Sequence, residues 1–287
     1  MTTVVPGRDF ILALACPDRP GIVHAVSGYL VEQGANIRES QQFEDELSGR
    51  FFMRVMFRAD GASVPGLRDA FGSVAQRLGM TWMLHDVGTP TRVLVMVSRF
   101  GHCLNDLLYR WTVRSLNIDI VAIGSNHRDA EAVAGWHGIP FHHIPITAAT
   151  KPAAEAELLS LVDRYDVDLV VLARYMQVLS DDLCMALGGR AVNIHHSFLP
   201  SFKGARPYHQ AHSRGVKLIG ATAHYVTPDL DEGPIIEQDV ARVHHAYSPE
   251  DLVNAGRDVE SQVLSRAIKW HSEHRVFLNG PSTVVLR

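Results

Sequence analysis

The 287-residue chain holds only three cysteines, Cys16, Cys103 and Cys184, an odd number set far apart. That scarcity argues against a disulfide framework and against a paired-cysteine metal site, and it points to a reducing compartment. The first residues, Met1 to Asp9, lack a basic flank followed by an apolar core, so no secretory leader is expected. No apolar run approaches the length that spans a bilayer, and the expectation is a cytoplasmic protein with no membrane partner. An excess of basic charge is missing too. With a formal net charge of -4, general affinity for nucleic acid is not expected. What is present is a globular composition, 46% hydrophobic and 20% charged, in a length that suits two ordinary domains or one large one.

A short turn-forming segment at 88–92, containing Pro90, separates a first block (1–87) from a second (93–287). The first block reads as strand 10–15, helix 21–33, strand 37–43, strand 50–58, helix 64–78 and strand 81–86. That order is βαββαβ, the ferredoxin-like arrangement. Ile22, Val23, Val26, Tyr29, Leu30 and Val31 give its first helix a broad apolar stripe. In the second block, apolar runs at 93–97, 118–123, 169–172 and 191–194 alternate with helical patterns near 103–113, 129–137 and 152–165. Runs of that kind belong to a mostly parallel, Rossmann-like sheet covered by helices on both faces, so the fold class is α/β. Segments 220–225 and 235–240 read as an added hairpin, and 249–274 as a long helix starting at Ser248-Pro249. Asn279-Gly280 marks a terminal hairpin turn.

The chemistry concentrates where the run at 191–194 ends. Asn193 and His195 stand two apart on a strand and so project to one face. The crevice beyond the carboxyl ends of such strands is where open α/β sheets bind ligands. An acidic turn follows at Asp229-Leu-Asp-Glu-Gly-Pro234. An amide donor, a titratable base and a carboxylate are the parts that acyl or formyl chemistry needs. Taken singly, His195 also reads as a structural hydrogen-bonder and Asp231 as a turn residue. A metal-dependent hydrolase is the rival that the 16 histidines raise, yet no HExxH framework appears. The His-His pairs at 142–143, 195–196 and 244–245 would point to opposite faces of a strand, so no metal site is expected.

Two resemblances sharpen this reading. Cys16-Pro-Asp-Arg-Pro-Gly-Ile22 and Gly34-Ala-Asn-Ile37 resemble the start of an ACT domain, over about residues 8–87. The resemblance implies edge-to-edge pairing into a homo-oligomer, a dimer or tetramer. It also implies an amino-acid effector, glycine or methionine, near Asp18, Arg19, Gly21 and Asn36. Gly21 and the first helical N–H groups suit a carboxylate; the alternative is a scaffold that binds nothing.

From about Thr91 onward the chain resembles the formyltransferase family that handles 10-formyltetrahydrofolate. The carrying segments are Asn193-Ile-His195, Ser197 to Gly204, Thr222 to Val226, Asp231 to Gln238 and Val171 to Leu179. The resemblance implies a catalytic trio of Asn193, His195 and Asp231, with His224 extending the network. It implies a folate pocket at Met176, Val178 and Leu179, closed by the loop Thr227, Pro228, Asp229 and Leu230. Gln177 departs from the arginine that relatives often carry there. No tightly bound cofactor is implied, because the folate is the substrate. Arg206, Tyr208 and His209 either shape the acceptor space or start a helix. Ser98 to Leu108 lacks the glycines of a phosphate-cradling loop. Together with the ACT-like block, this resembles the deformylating branch, in which water replaces the acceptor amine and formate is released. Two alternatives stay open, namely formyl transfer to an amine such as glycinamide ribonucleotide, and a non-catalytic amino-acid or folate sensor.

Overall fold

The computed structural model describes residues 7–196 and 207–287. The motif residues 197–204, the Leu199-Pro200 bond and Arg206 therefore lie outside the described residues.

The first unit runs β1 (Arg8–Pro17), α1 (Ile22–Glu32), β2 (Asn36–Asp45), β3 (Arg50–Ala59), α2 (Val64–Leu78) and β4 (Thr81–Asp86), the expected βαββαβ order. Its antiparallel sheet has the order β2-β3-β1-β4. Phe10, Leu12 and Leu14 alternate along β1 and meet Ile22, Val26, Tyr29 and Leu30 of α1 and Leu67 and Phe71 of α2 in one core. The apolar stripe of α1 is narrower than its sequence suggests. Val23 and Val31 are exposed, because only one face of the helix meets the sheet. Helix α2 starts where the Ser63 hydroxyl accepts from Gly66 N–H at 3.3 Å, and it stops at Gly79 in left-handed conformation.

The second unit continues with β5 (Thr91–Val97), α3 (His102–Thr112), β6 (Ile118–Ser125), α4 (Glu131–Trp136) and β7 (Phe141–His143). Next come α5 (Lys151–Arg164), β8 (Leu169–Ala173), α6 (Asp181–Ala186), β9 (Ala191–His195) and α7 (Pro207–Ser213). The chain then forms β10 (Leu218–Tyr225), β11 (Ile235–Arg242), α8 (Pro249–Ser272), β12 (Val276–Asn279) and β13 (Ser282–Val285). The seven-stranded sheet has the order β11-β10-β9-β8-β5-β6-β7; β10 runs antiparallel to both of its neighbours, β9 and β11, and the other neighbouring strands pair in parallel. Strands β5, β6 and β7 progress one way and β8 and β9 the other. The order thus reverses between β5 and β8, and an open sheet places its ligand crevice at such a point.

One boundary differs from the sequence reading. Residues 273–279 and 284–287 group with the first unit, where 93–287 was expected to be one domain. Polar pairing within that unit is the reason. Arg54, 2% exposed on β3, donates from Nε to the Glu273 carbonyl at 2.7 Å. Arg275 donates to Glu39 Oε1 at 2.9 Å and Gln41 Oε1 at 3.0 Å, and Asn279 donates to Asp45 Oδ2 at 2.6 Å. A buried guanidinium needs such acceptors, and sequence periodicity does not report them.

Candidate active site

Strand β9 lies between β8 and β10, and its alternation buries Val192 and Ile194 while Asn193 and His195 are half-buried. The antiparallel register sets His224 of β10 directly across from Asn193. The Nδ1–H of His224 donates to the Tyr225 carbonyl at 2.9 Å, and its Nε2 lies 3.3 Å from Asn193 Nδ2. Asp231 arrives from the turn between β10 and β11. Its Oδ2 lies 3.1 Å from His195 Nδ1, and its Oδ1 lies 3.4 Å from Asn193 Nδ2 and 3.7 Å from His224 Nε2.

The turn that delivers this carboxylate is tightly built. Asp231 has φ 59°, a left-handed conformation that side chains other than glycine seldom adopt. A Cβ at Gly233 would stand 1.8 Å from the Tyr225 carbonyl oxygen, so only glycine lets the chain fold back there. The Tyr225 N–H then donates to the Pro234 carbonyl at 2.9 Å. Burial works to raise the Asp231 carboxyl pKa. The hydrogen bonds and charges of His195 and His224 outweigh it and hold the group well below the usual carboxylate range.

These residues border a cavity of about 230 Å³. Asn193, His195, His224 and Asp231 give it a polar side, and Met176, Val178, Leu179, Thr227, Pro228 and Leu230 are among its other lining residues. Met176, Val178 and Leu230 are exposed apolar side chains at its rim, suited to meet the flat face of a heterocycle. Asp229, expected in the closing loop, does not line it. Its side chain is exposed while its carbonyl accepts from Thr227 Oγ1 at 3.1 Å, so it serves the turn. Gln177 also lines the cavity, with its amide turned back to donate to the Met176 carbonyl at 2.8 Å.

Sequence reasoning missed a second polar group beside this cavity. Glu260 of α8 is 1% exposed. Its Oε1 accepts from the Tyr208 hydroxyl at 2.7 Å, and its Oε2 lies 2.7 Å from His102 Nε2. Tyr208, expected near the trio, is thus anchored on α8. Arg174 brings Nε to 3.3 Å from the same Oε2, as an ion pair without hydrogen-bond alignment. Burial raises the Glu260 carboxyl, while His102, Arg174 and Tyr208 pull it lower overall. His196, with its ring 4.9 Å from that of His195, is pushed down to about 4 by burial and by the Arg174 charge. A signal for Glu260 was available: it falls on the same helical face as Gly256 and Leu264, an acid on an apolar stripe.

The ligand atoms of His102, Cys103 and Glu260 lie within 4.8 Å of one another, close enough for a metal ion. The chemistry fits one poorly. Burial and the Glu260 charge raise the Cys103 thiol, which keeps it protonated, and a guanidinium already faces the carboxylate. In the first unit Asp18, Arg19, Gly21 and Asn36 are exposed, and Gly21 caps α1 in left-handed conformation with open space beside it.

Residues 91–268 match the formyl transferase family and residues 10–76 match the ACT domain. Fold and site thus define a formyl transferase-type protein carrying an ACT domain, as the sequence reading expected. The chain is 56% identical over 279 residues to the formyltetrahydrofolate deformylase of Corynebacterium sp. (strain P-1), a match covering 96% of this chain and 98% of that one. It is 48% identical over 277 residues to that of Bacillus subtilis (strain 168), covering 96% and 92%. The crystal structure of formyltetrahydrofolate deformylase from Burkholderia mallei ATCC 23344 matches with a TM-score of 0.94 and 54% identity, covering 98% of this chain and 100% of that one. The chain belongs to the formyltetrahydrofolate deformylase family.

Proposed function

We propose that this protein hydrolyses 10-formyltetrahydrofolate to tetrahydrofolate and formate, with Asn193, His195 and Asp231 as the catalytic residues. The observation that carries the reading is the 3.1 Å approach of Asp231 to His195 Nδ1 beside Asn193, all three on one cavity. The folate's ring system rests on Met176, Val178 and Leu179, under the loop 227–230. Water adds to the formyl carbon, and the carbonyl electron pair moves to oxygen. Asn193 Nδ2 donates to that oxyanion, a contact worth about 3–4 kcal/mol in comparable sites. With its Nδ1 proton held by Asp231, His195 uses Nε2 to take a proton from the water. It returns that proton to N10 of the folate as the C–N bond breaks. Formic acid then ionises, so the balance is 10-formyltetrahydrofolate plus water giving tetrahydrofolate, formate and one proton.

The test is to quantify formate and tetrahydrofolate from the wild type and from His195→Ala. Equal release by the wild type, with turnover lower by about 10²-fold or more in the variant, supports the mechanism. An unchanged rate in His195→Ala removes that residue from it.

For the first unit, the reading is a regulatory and pairing module that works in the cytoplasm within a homo-oligomer. Glycine or methionine would seat its carboxylate near Gly21, with Asp18, Arg19 and Asn36 around it. The open, exposed cap of α1 supports this. Titrating formate release with each amino acid, alongside the sedimentation mass, tests both parts. An unaltered rate and a monomeric mass would refute them. Among the described residues no helix is long and apolar enough to cross a membrane.

A further inference from the structure

The strand order reverses between β5 and β8, and there an open α/β sheet offers its ligand crevice, with anions favoured at the start of the following helix. In this chain the crevice is filled from within. His102 is the first residue of α3, which follows β5, and Arg174 directly follows β8. Glu260 reaches in from α8 and Tyr208 from α7, so four elements converge on one buried carboxylate. Glu260 stands where an external anion would be expected.

The surrounding structure is committed to this arrangement. Arg174 is held at φ 63°, and its side chain is 11% exposed. It also lines the cavity beside Asn193 and His195, so the cluster and the proposed reaction site share a wall. A Cβ at Gly256 would fall 2.2 Å from the Tyr208 ring, so glycine at that position lets the ring lie flat on α8. Buried ionic clusters are an inefficient source of stability compared with apolar packing of the same volume. Both carboxylate oxygens of Glu260 are engaged, which leaves little capacity for the hydroxyl or amine donors of a guest.

We propose that Glu260, held by Tyr208, His102 and Arg174, is a specificity-determining residue that closes the acceptor end of the crevice to anionic amines and leaves water as the only acceptor. The inference rests on the hydrolytic reading given above. In physical terms, the chain's own carboxylate repels a phosphate-bearing guest and occupies its volume. Water is small enough to reach the formyl carbon past it.

The test uses the full chain with 10-formyltetrahydrofolate and glycinamide ribonucleotide as the probe, an amine that carries a phosphate. Neutral glycinamide serves as comparison. Tetrahydrofolate and formate are both quantified, and any excess of the former counts formyl groups moved to the amine. The wild type should release equal amounts at every probe concentration. Glu260→Ala should raise the formylated amine by at least about 10-fold over the wild type, with the phosphate-bearing probe favoured. Tyr208→Phe, which keeps the ring and frees one oxygen of Glu260, should raise it less. If Glu260→Ala does not fold, Glu260→Gln and Tyr208→Phe carry the measurement. Equal release from folded, active variants would overturn the proposal, as would formyl transfer by the wild type. A folded Glu260→Gln that releases no tetrahydrofolate would also overturn it, by assigning Glu260 to the hydrolysis itself. A wild type that releases no formate would instead sink the hydrolytic reading, and this inference with it.

Discussion

Replacing Asp231 with asparagine tests the site most directly, because the change is nearly isosteric and alters one atom of the carboxylate. Asp231 accepts from His195 at 3.1 Å and from Asn193 at 3.4 Å, and it faces His224 at 3.7 Å. The loss of one charge-assisted hydrogen bond amounts to about 1.5–3 kcal/mol, equivalent to a rate factor of roughly 10–10². A second effect adds to it. An asparagine N–H turned toward His195 Nδ1 would place the ring proton on Nε2, where it blocks the base. In a comparable triad this reversal lowers turnover by about 10⁴-fold. The expectation is therefore a fall in kcat for formate release of about 10²–10⁴-fold, with KM for the folate changed much less. Melting curves should accompany the kinetics, since Asp231 also holds its turn at φ 59°. A folded Asp231→Asn variant with kcat within about threefold of wild type would refute the proton relay through His195.

Gly233→Ala should act on the same turn from behind, because its Cβ would stand 1.8 Å from the Tyr225 carbonyl. The cost is about 1–3 kcal/mol, seen as a lower melting temperature, with formate release lost as Asp231 shifts. An unchanged Tm would mean that the turn relaxes freely. Arg275→Ala leaves Glu39 with Arg54 as its remaining close partner, and breaking that largely buried pairing should cost the first unit about 3–5 kcal/mol in denaturant unfolding. Hydrogen exchange should accelerate in β2 and β3, and uniform protection would refute it. Acid should also destabilise the second unit. Burial lowers His271 from 6.5 to about 4, and the Tyr225 hydroxyl faces its Nδ1 at 2.7 Å. The folded pKa lies below the unfolded one, so the unfolded chain binds more protons inside that interval. Stability should thus fall as pH drops from 6.5 toward about 4 and stay level above it. His271→Gln should flatten that slope, and an identical pH profile would refute the assignment.

The elements that announced themselves in the sequence were those with a strong period or a complete start and stop. Helix α2, with Ser63 and Gly79 at its ends, falls at the expected residues, as does β4. Asn193 and His195 could be paired from a two-residue spacing alone, since strand alternation fixes their common face. The short elements β7 and α6 were not anticipated, because runs of three to six residues carry too little periodicity. Exposure of Val23 and Val31 depends on which side of α1 the sheet covers, a fact of packing. Arg275 was illegible for a related reason, and Glu260, marked only as an acid on an apolar stripe, gave no sign of its partners. Their meaning lies in partners 236 and 158 residues away, and local pattern is silent on such pairings.

The return of residues 273–279 and 284–287 to the first unit carries a consequence for synthesis. Arg54 and its carbonyl acceptor are 219 positions apart, so a ribosome at ordinary speed makes one roughly 10–40 s before the other. During that interval the earliest sheet to emerge holds a guanidinium facing only Glu39, and its β2 side lacks the tail that later pairs with it. The domain translated first is thus completed last. A nascent intermediate with this polar cluster still incomplete is the form that a chaperone, or a neighbouring copy, would encounter.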